Sequence, residues 1–142
     1  MVYLTRRVAF NAAHKLAVDG WSDERNLEVF GKCANPNWHG HNYVLLVTVG
    51  GEPDPVTGFV VNAKALKDTI EREVVDDLDH RNLNLDVAWM RGIQPTSENI
   101  AVAIWGRLSP KLAPGVRLHR VRLVETENIF VDYYGPHGEP AA

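Results

Sequence analysis

A chain of 142 residues is the size of one ordinary domain and can bury roughly two-thirds of its unfolded surface. Its composition, 45% hydrophobic and 23% charged, is that of an average globular protein, and a net charge of −3 excludes a bulk basic field for nucleic acid or acidic membranes. The one thiol, Cys33, cannot form an internal disulfide, and no apolar run suits a signal peptide or a membrane span, so a reducing, cytoplasmic setting is expected.

Residues 2–14 alternate, with Val8, Phe10, Ala12 and His14 on one face of a strand. Residues 15–38 show little periodicity and read as a long connection. Such loops are usually functional or disordered, and Trp21, Phe30 and Cys33 weigh against disorder. A second strand covers 39–49, with His39, His41, Tyr43, Leu45, Val47 and Val49 on one face. Gly50-Gly51 end it, and turn chemistry follows from Glu52 to Gly58. Over 62–78, Leu66, Ile70, Val74 and Leu78 recur every four residues, which predicts an amphipathic helix. A second helix starts near Pro95-Thr96-Ser97-Glu98, carries Ile100, Ile104 and Leu108, and stops by Pro110. Strands follow over 116–124 and 129–134, joined by a turn at Thr126-Glu127-Asn128. The order is β, β, α, α, β, β, an α+β domain over 1–135 with a flexible tail at 136–142.

His39-Gly40-His41 is the strongest local signal. Residues two apart on a strand share a face, so two imidazoles project side by side. His14 ends the other alternating strand and can supply a third nitrogen. Three neutral imidazoles suit zinc and leave one coordination position open. The competing reading is a coincidence in a chain with six histidines; His119 and His137 lack comparable context and read as structural. Cys33, six residues before His39, is an inert packing thiol, a fourth zinc ligand, or a base whose thiolate a nearby cation favours. Asp79-His80 is a helix-end feature or an acid–imidazole pair. Glu125, at a strand end, is either solvated or, if buried, able to accept two side-by-side N–H donors from a ring.

Taken together, Phe10-Asn11-Ala12-Ala13-His14, Phe30-Gly31-Lys32-Cys33, Asn35-Pro36-Asn37, His39-Gly40-His41-Asn42-Tyr43, Asp54-Pro55-Val56-Thr57-Gly58, Leu78-Asp79-His80-Arg81-Asn82-Leu83, Thr96-Ser97-Glu98-Asn99 and Glu125-Thr126 resemble the 6-pyruvoyl-tetrahydropterin synthase family from about Arg6 to Gly135. The resemblance implies a T-fold: a four-stranded antiparallel sheet with two helices on one face. It also implies trimers that pair into homohexamers, with active sites between subunits. The implied activity is a zinc-dependent lyase of tetrahydrobiopterin biosynthesis, eliminating triphosphate from 7,8-dihydroneopterin triphosphate. Zn2+ would sit on His14, His39 and His41. Cys33 would be the base, completed by Asp79 and His80. Glu125 would anchor the pterin, with Thr96, Ser97 and Glu98 nearby. Trp38 departs from the pattern, since the animal enzymes have a small residue there.

Two neighbouring readings remain open to test. One is 6-carboxytetrahydropterin synthase of the queuosine pathway, which the spacing between Cys33 and His39 disfavours. The other is a non-catalytic, metal-stabilised pterin-binding module. A zinc hydrolase using Glu98 as base lacks a His-Glu-x-x-His signature.

Overall fold

The computed structural model describes residues 1–138. Its strands are β1 (Val2–His14), β2 (His39–Gly51), β3 (Arg81–Asn82), β4 (Arg117–Thr126) and β5 (Ile129–Tyr133). Its helices are α1 (Asp23–Phe30), α2 (Ala63–Ile70), α3 (Asp76–Leu78) and α4 (Ser97–Leu108).

β1 and β2 form one antiparallel ladder from Val2↔Gly51 to His14↔His39 without a slip. A single register therefore fixes the face of every side chain along both strands. Val8, Phe10, Ala12 and His14 are buried on the same face as Tyr43, Leu45, Val47 and Val49. Phe10 stacks on its cross-strand partner Tyr43, with ring centroids 5.1 Å apart. Val121 and Leu123 of β4 extend this face, and Leu66, Ile70, Val74, Leu78, Ile100, Ile104 and Leu108 complete the core. Each such side chain contributes roughly 2 kcal/mol by leaving water.

The expected four-stranded antiparallel sheet is a mixed sheet of five strands, in the order β3-β1-β2-β4-β5. β3 runs parallel to β1 through Ala12↔Arg81 and Ala13↔Asn82. Two residues are too few to show a period, and the contact is made by backbone: the Leu83 amide donates to the Ala13 carbonyl at 2.8 Å.

The connection over 15–38 contains a helix that periodicity did not reveal. Ser22 caps α1 by accepting from the Arg25 amide at 3.2 Å, and Asp23 and Glu24 favour its positive end. Leu27 and Val29 face outward, so α1 has no apolar stripe to read. Trp21 and Phe30 stack beside it, with the Arg25 guanidinium 4.2 Å from the Trp21 ring centre. A short 3-10 turn, Gly31–Ala34, then carries Cys33.

The helix expected over 62–78 is interrupted. Asn62 caps α2, but Glu71–Val75 is a π-helical turn before α3. An apolar residue every fourth position drifts about 40° per step around an ideal α-helix. The wider turn absorbs that drift, so Val74 and Leu78 stay as buried as Leu66 and Ile70. α4 starts where the sequence placed it, and of the two candidates, Thr96 and Ser97, Thr96 is the cap, accepting from the Asn99 amide. Of the expected tail, Gly135–Gly138 closes a turn, Gly138 donating to the Gly135 carbonyl at 3.1 Å. Residues 139–142 lie outside the described residues.

Candidate metal centre and active site

The last rung of the β1–β2 ladder places His14 opposite His39, and His41 lies two residues along the same face. The three rings gather with centroids 4.4, 5.0 and 5.1 Å apart. One nitrogen from each lies within 4.8 Å of the others.

The surroundings of His14 and His39 set their proton states. His14 is fully buried, and its Nδ1 lies 2.8 Å from the carbonyl of Pro95. A carbonyl only accepts, so Nδ1 carries the proton and Nε2 presents a lone pair. Burial, more than any charge, lowers the pKa of His14 and of His39, which keeps both neutral near pH 7. His14 Nε2, His41 Nε2 and both nitrogens of His39 are buried without a hydrogen-bond partner. An unpaired buried polar atom costs about 1–3 kcal/mol. One divalent cation would satisfy a nitrogen from each ring, and neutral imidazoles are what zinc binds. The donor set therefore fits a metal.

Glu125 stands at the fourth side of the group. On β4, Val124 pairs with Phe130 and Thr126 with Ile129, so Glu125 is the extra residue of a β-bulge. Bulges re-aim a side chain, and Glu125 Oε1 lies 3.2 Å from His41 Nε2 and 3.5 Å from His14 Nε2. Neither contact has hydrogen-bond geometry. Tyr43, two residues beyond His41, underlies the site with its hydroxyl 3.5 Å from His14 Nδ1. Burial, and then the negative charge of Glu125, push the Tyr43 phenol far up, so it is neutral.

Cys33 is half-buried, and its carbonyl accepts from the Leu16 amide at 2.8 Å. Burial first and Glu125 second push its thiol up. Its sulfur does not join the group of three imidazoles, which argues against Cys33 as a fourth ligand.

Asp79 and His80 form a pair, His80 Nδ1 lying 3.0 Å from Asp79 Oδ1. Asn11 holds both. Its amide donates to Asp79 Oδ1 at 2.8 Å, and its carbonyl accepts from the His80 amide. The Asn11 amide, more than His80, keeps the Asp79 carboxyl below the usual range. His80 has φ +60 and its side chain is 81% exposed. Among the described residues, no hydrogen bond or ion pair joins this pair to Cys33 or to the imidazoles.

Thr96 and Ser97 follow Pro95, the partner of His14. Thr96 caps α4, Ser97 is buried with an unpartnered hydroxyl, and Glu98 faces solvent. Trp38, at φ +65, immediately precedes His39, with the Lys15 ammonium 5.7 Å from its ring centre.

Two contributors escaped the sequence reading. Tyr43 shares the period of His39 and His41 and was open to detection there. Pro95 acts through its backbone and leaves no side-chain signal.

The family model described as 6-pyruvoyl tetrahydropterin synthase matches residues 3–136. The chain belongs to the 6-pyruvoyl tetrahydropterin synthase family. Within that family it is 48% identical over 132 residues to the 6-pyruvoyl tetrahydrobiopterin synthase of Homo sapiens, covering 93% of this chain and 90% of that protein. The Drosophila melanogaster 6-pyruvoyl tetrahydrobiopterin synthase is 42% identical over 137 residues, covering 96% and 82%. A solved 6-pyruvoyl tetrahydropterin synthase from Caenorhabditis elegans superposes with a TM-score of 0.88 at 40% identity, covering 94% of this chain and 95% of that one. No helix among the described residues is long and apolar enough to cross a membrane.

Proposed function

We propose that this chain is a zinc-dependent 6-pyruvoyl tetrahydropterin synthase, a carbon–oxygen lyase that eliminates triphosphate from 7,8-dihydroneopterin triphosphate. The observation that carries this reading is the group of three imidazoles with partnerless buried nitrogens, in a chain of this family. His14, His39 and His41 would hold the ion. When bound, zinc supplies Lewis acidity toward the substrate's side-chain oxygens and a positive field that favours thiolate.

The chain's own groups do the rest. Pro95 fixes the His14 tautomer, so its lone pair faces the site. Cys33 removes the side-chain proton; unaided burial works against this, so the thiolate needs the cation's field. Glu125 takes the pterin ring through paired N–H donors, beside Thr96, Ser97 and Glu98. Asp79 and His80 complete the proton-transfer group with Cys33, in this reading at a site between subunits of a homohexamer built as a dimer of trimers. The protein is cytoplasmic in this reading.

The test is product analysis after incubating the zinc-loaded protein with dihydroneopterin triphosphate. Formation of 6-pyruvoyl tetrahydropterin and free triphosphate supports the proposal. Acetaldehyde release assigns the chain to the carboxytetrahydropterin branch. Absence of turnover with retained pterin binding leaves a binding module.

A further inference from the structure

We infer that the side-chain amides of Asn26, Asn84 and Gln94 are positioning residues: by clamping the backbone of residues 15–18 they fix where Cys33 stands relative to His14. The inference rests on the reading of Cys33 as the base.

β1 ends at His14, and residues 15–18 continue it as a strap that is neither strand nor helix. In an antiparallel ladder a hydrogen-bonded residue gives both its N–H and its C=O to one partner. A carboxamide carries the same donor and acceptor. Asn84 Oδ1 accepts from the Lys15 amide at 3.0 Å, and Asn84 Nδ2 donates to the Lys15 carbonyl at 2.9 Å. Gln94 holds Ala17 in the same way at 3.3 and 3.0 Å. Asn26 holds Val18 at 2.8 and 3.1 Å. The remaining residue, Leu16, donates its amide to the Cys33 carbonyl at 2.8 Å. Every N–H of the strap is therefore engaged, and one of them is the tie to the thiol-bearing turn.

The clamps come from three elements, each adjoining a group of the site. Asn26 is buried on α1, which runs into the Gly31–Ala34 turn that carries Cys33. Asn84 follows β3 and the Asp79-His80 pair. Gln94 precedes Pro95, whose carbonyl sets the His14 tautomer, and the Gln94 carbonyl accepts from the Thr96 amide at 2.8 Å and from Asn99 Nδ2 at 3.0 Å. Gln94 thus joins the loop that orients one imidazole to the strap that holds the thiol. Two clefts, of about 230 and 330 Å³, both have Ala17 in their walls, so hydrogen bonds rather than close packing hold the strap there.

A base works only within hydrogen-bond reach of the proton it removes. A misplacement of about 1 Å can slow a reaction about a hundredfold. Releasing one clamp frees the strap beside Leu16, and through the Leu16–Cys33 bond it frees the thiol.

The test uses Gln94→Met and Asn84→Leu, which keep the bulk of each side chain and remove its amide. The expected result is kcat lowered at least about tenfold with KM within about threefold. Zinc content by metal analysis stays at wild-type level, and iodoacetamide alkylation of Cys33 in the zinc-free protein speeds up at least about threefold. Variants that lose thermal stability yet keep kcat and alkylation within about twofold make the amides structural alone and overturn the inference. Faster alkylation with unchanged kcat overturns it too, as does a fall in kcat that tracks lost zinc. If the wild type shows no turnover, the lyase reading fails, and the alkylation rates alone decide whether the amides hold the thiol turn. If neither variant folds, hydrogen exchange of the wild type by NMR decides. Amides of residues 15–18 slowed at least about a hundredfold against an unstructured chain support the clamps, and unslowed exchange refutes them.

Discussion

Replacing His39 with alanine separates the cost of the imidazole cluster from its purpose. In the metal-free protein both nitrogens of His39 are buried without partners. Deleting the ring removes that desolvation penalty along with its packing, so the metal-free variant loses at most about 1 kcal/mol. The difference appears on adding zinc. A ligand that binds only the folded state, at a hundred times its Kd, stabilises by about 2.7 kcal/mol. The entropy of unfolding for 142 residues is about 0.3 kcal/mol/K, so the midpoint rises by about 9 °C. Losing even an outer partner of a metal ligand weakens affinity by up to about a hundredfold. At the same free zinc, a hundredfold loss of affinity leaves His39→Ala with a gain of about 0.4 kcal/mol, near 1 °C. Differential scanning fluorimetry of both proteins, with chelator and with buffered zinc, measures the four midpoints. An equal zinc-induced rise in His39→Ala, or none in the wild type, would refute the assignment of these imidazoles as ligands.

Cys33→Ala is expected to abolish turnover of dihydroneopterin triphosphate while zinc content stays at wild-type level, read by metal analysis beside the product assay; lost zinc would make the thiol a ligand. The fork from Arg122 to Asp132, at 2.7 and 2.8 Å, is the first cause holding the Asp132 carboxyl below its usual value. A depressed folded pKa adds stability above the unfolded value, about 3.9, and loses it as pH falls through the folded one. Asp132→Asn should therefore be about 1 kcal/mol less stable at pH 7, and urea midpoints of the two proteins should converge at acid pH. Gly135 sits at φ +89, where an added Cβ would lie 2.5 Å from Trp105 Cζ2. Gly135→Ala is expected to lose about 2 kcal/mol or more by thermal denaturation, and an unchanged midpoint would show that the turn yields.

What could be read from the sequence followed how locally each feature is encoded. β1 alternates along most of its length and β2 from His39 to Val47, so their faces, and with them His14, His39 and His41, were legible. α4 announced itself through a cap at Thr96 or Ser97 and the Ile100, Ile104 and Leu108 stripe. α1 was invisible because Leu27 and Val29 point outward and its ordering comes from Trp21, Phe30 and the Ser22 cap. β3 was invisible because a two-residue pairing has no period. The π turn was latent in the four-residue spacing of Leu66, Ile70, Val74 and Leu78, which an ideal helix does not match. The His14 tautomer depends on Pro95, 81 positions away in the chain, and no local pattern records such a contact. Nor did the sequence tell that Glu125 would face the imidazoles, because its direction comes from a bulge set by the pairing of β4 with β5.

The uninterrupted pairing of β1 with β2 also limits how the centre can vary over evolution. His39 and His41 share one strand and His14 stands on the other, so inserting or deleting one residue in either strand near that end would turn a ligand to the far side of the sheet. Substitutions along the ladder can accumulate gradually, whereas length changes there are all-or-nothing. Variation in chain length is therefore pushed into the segments beyond the last rung, where residues 15–38 already carry an extra helix and the only thiol.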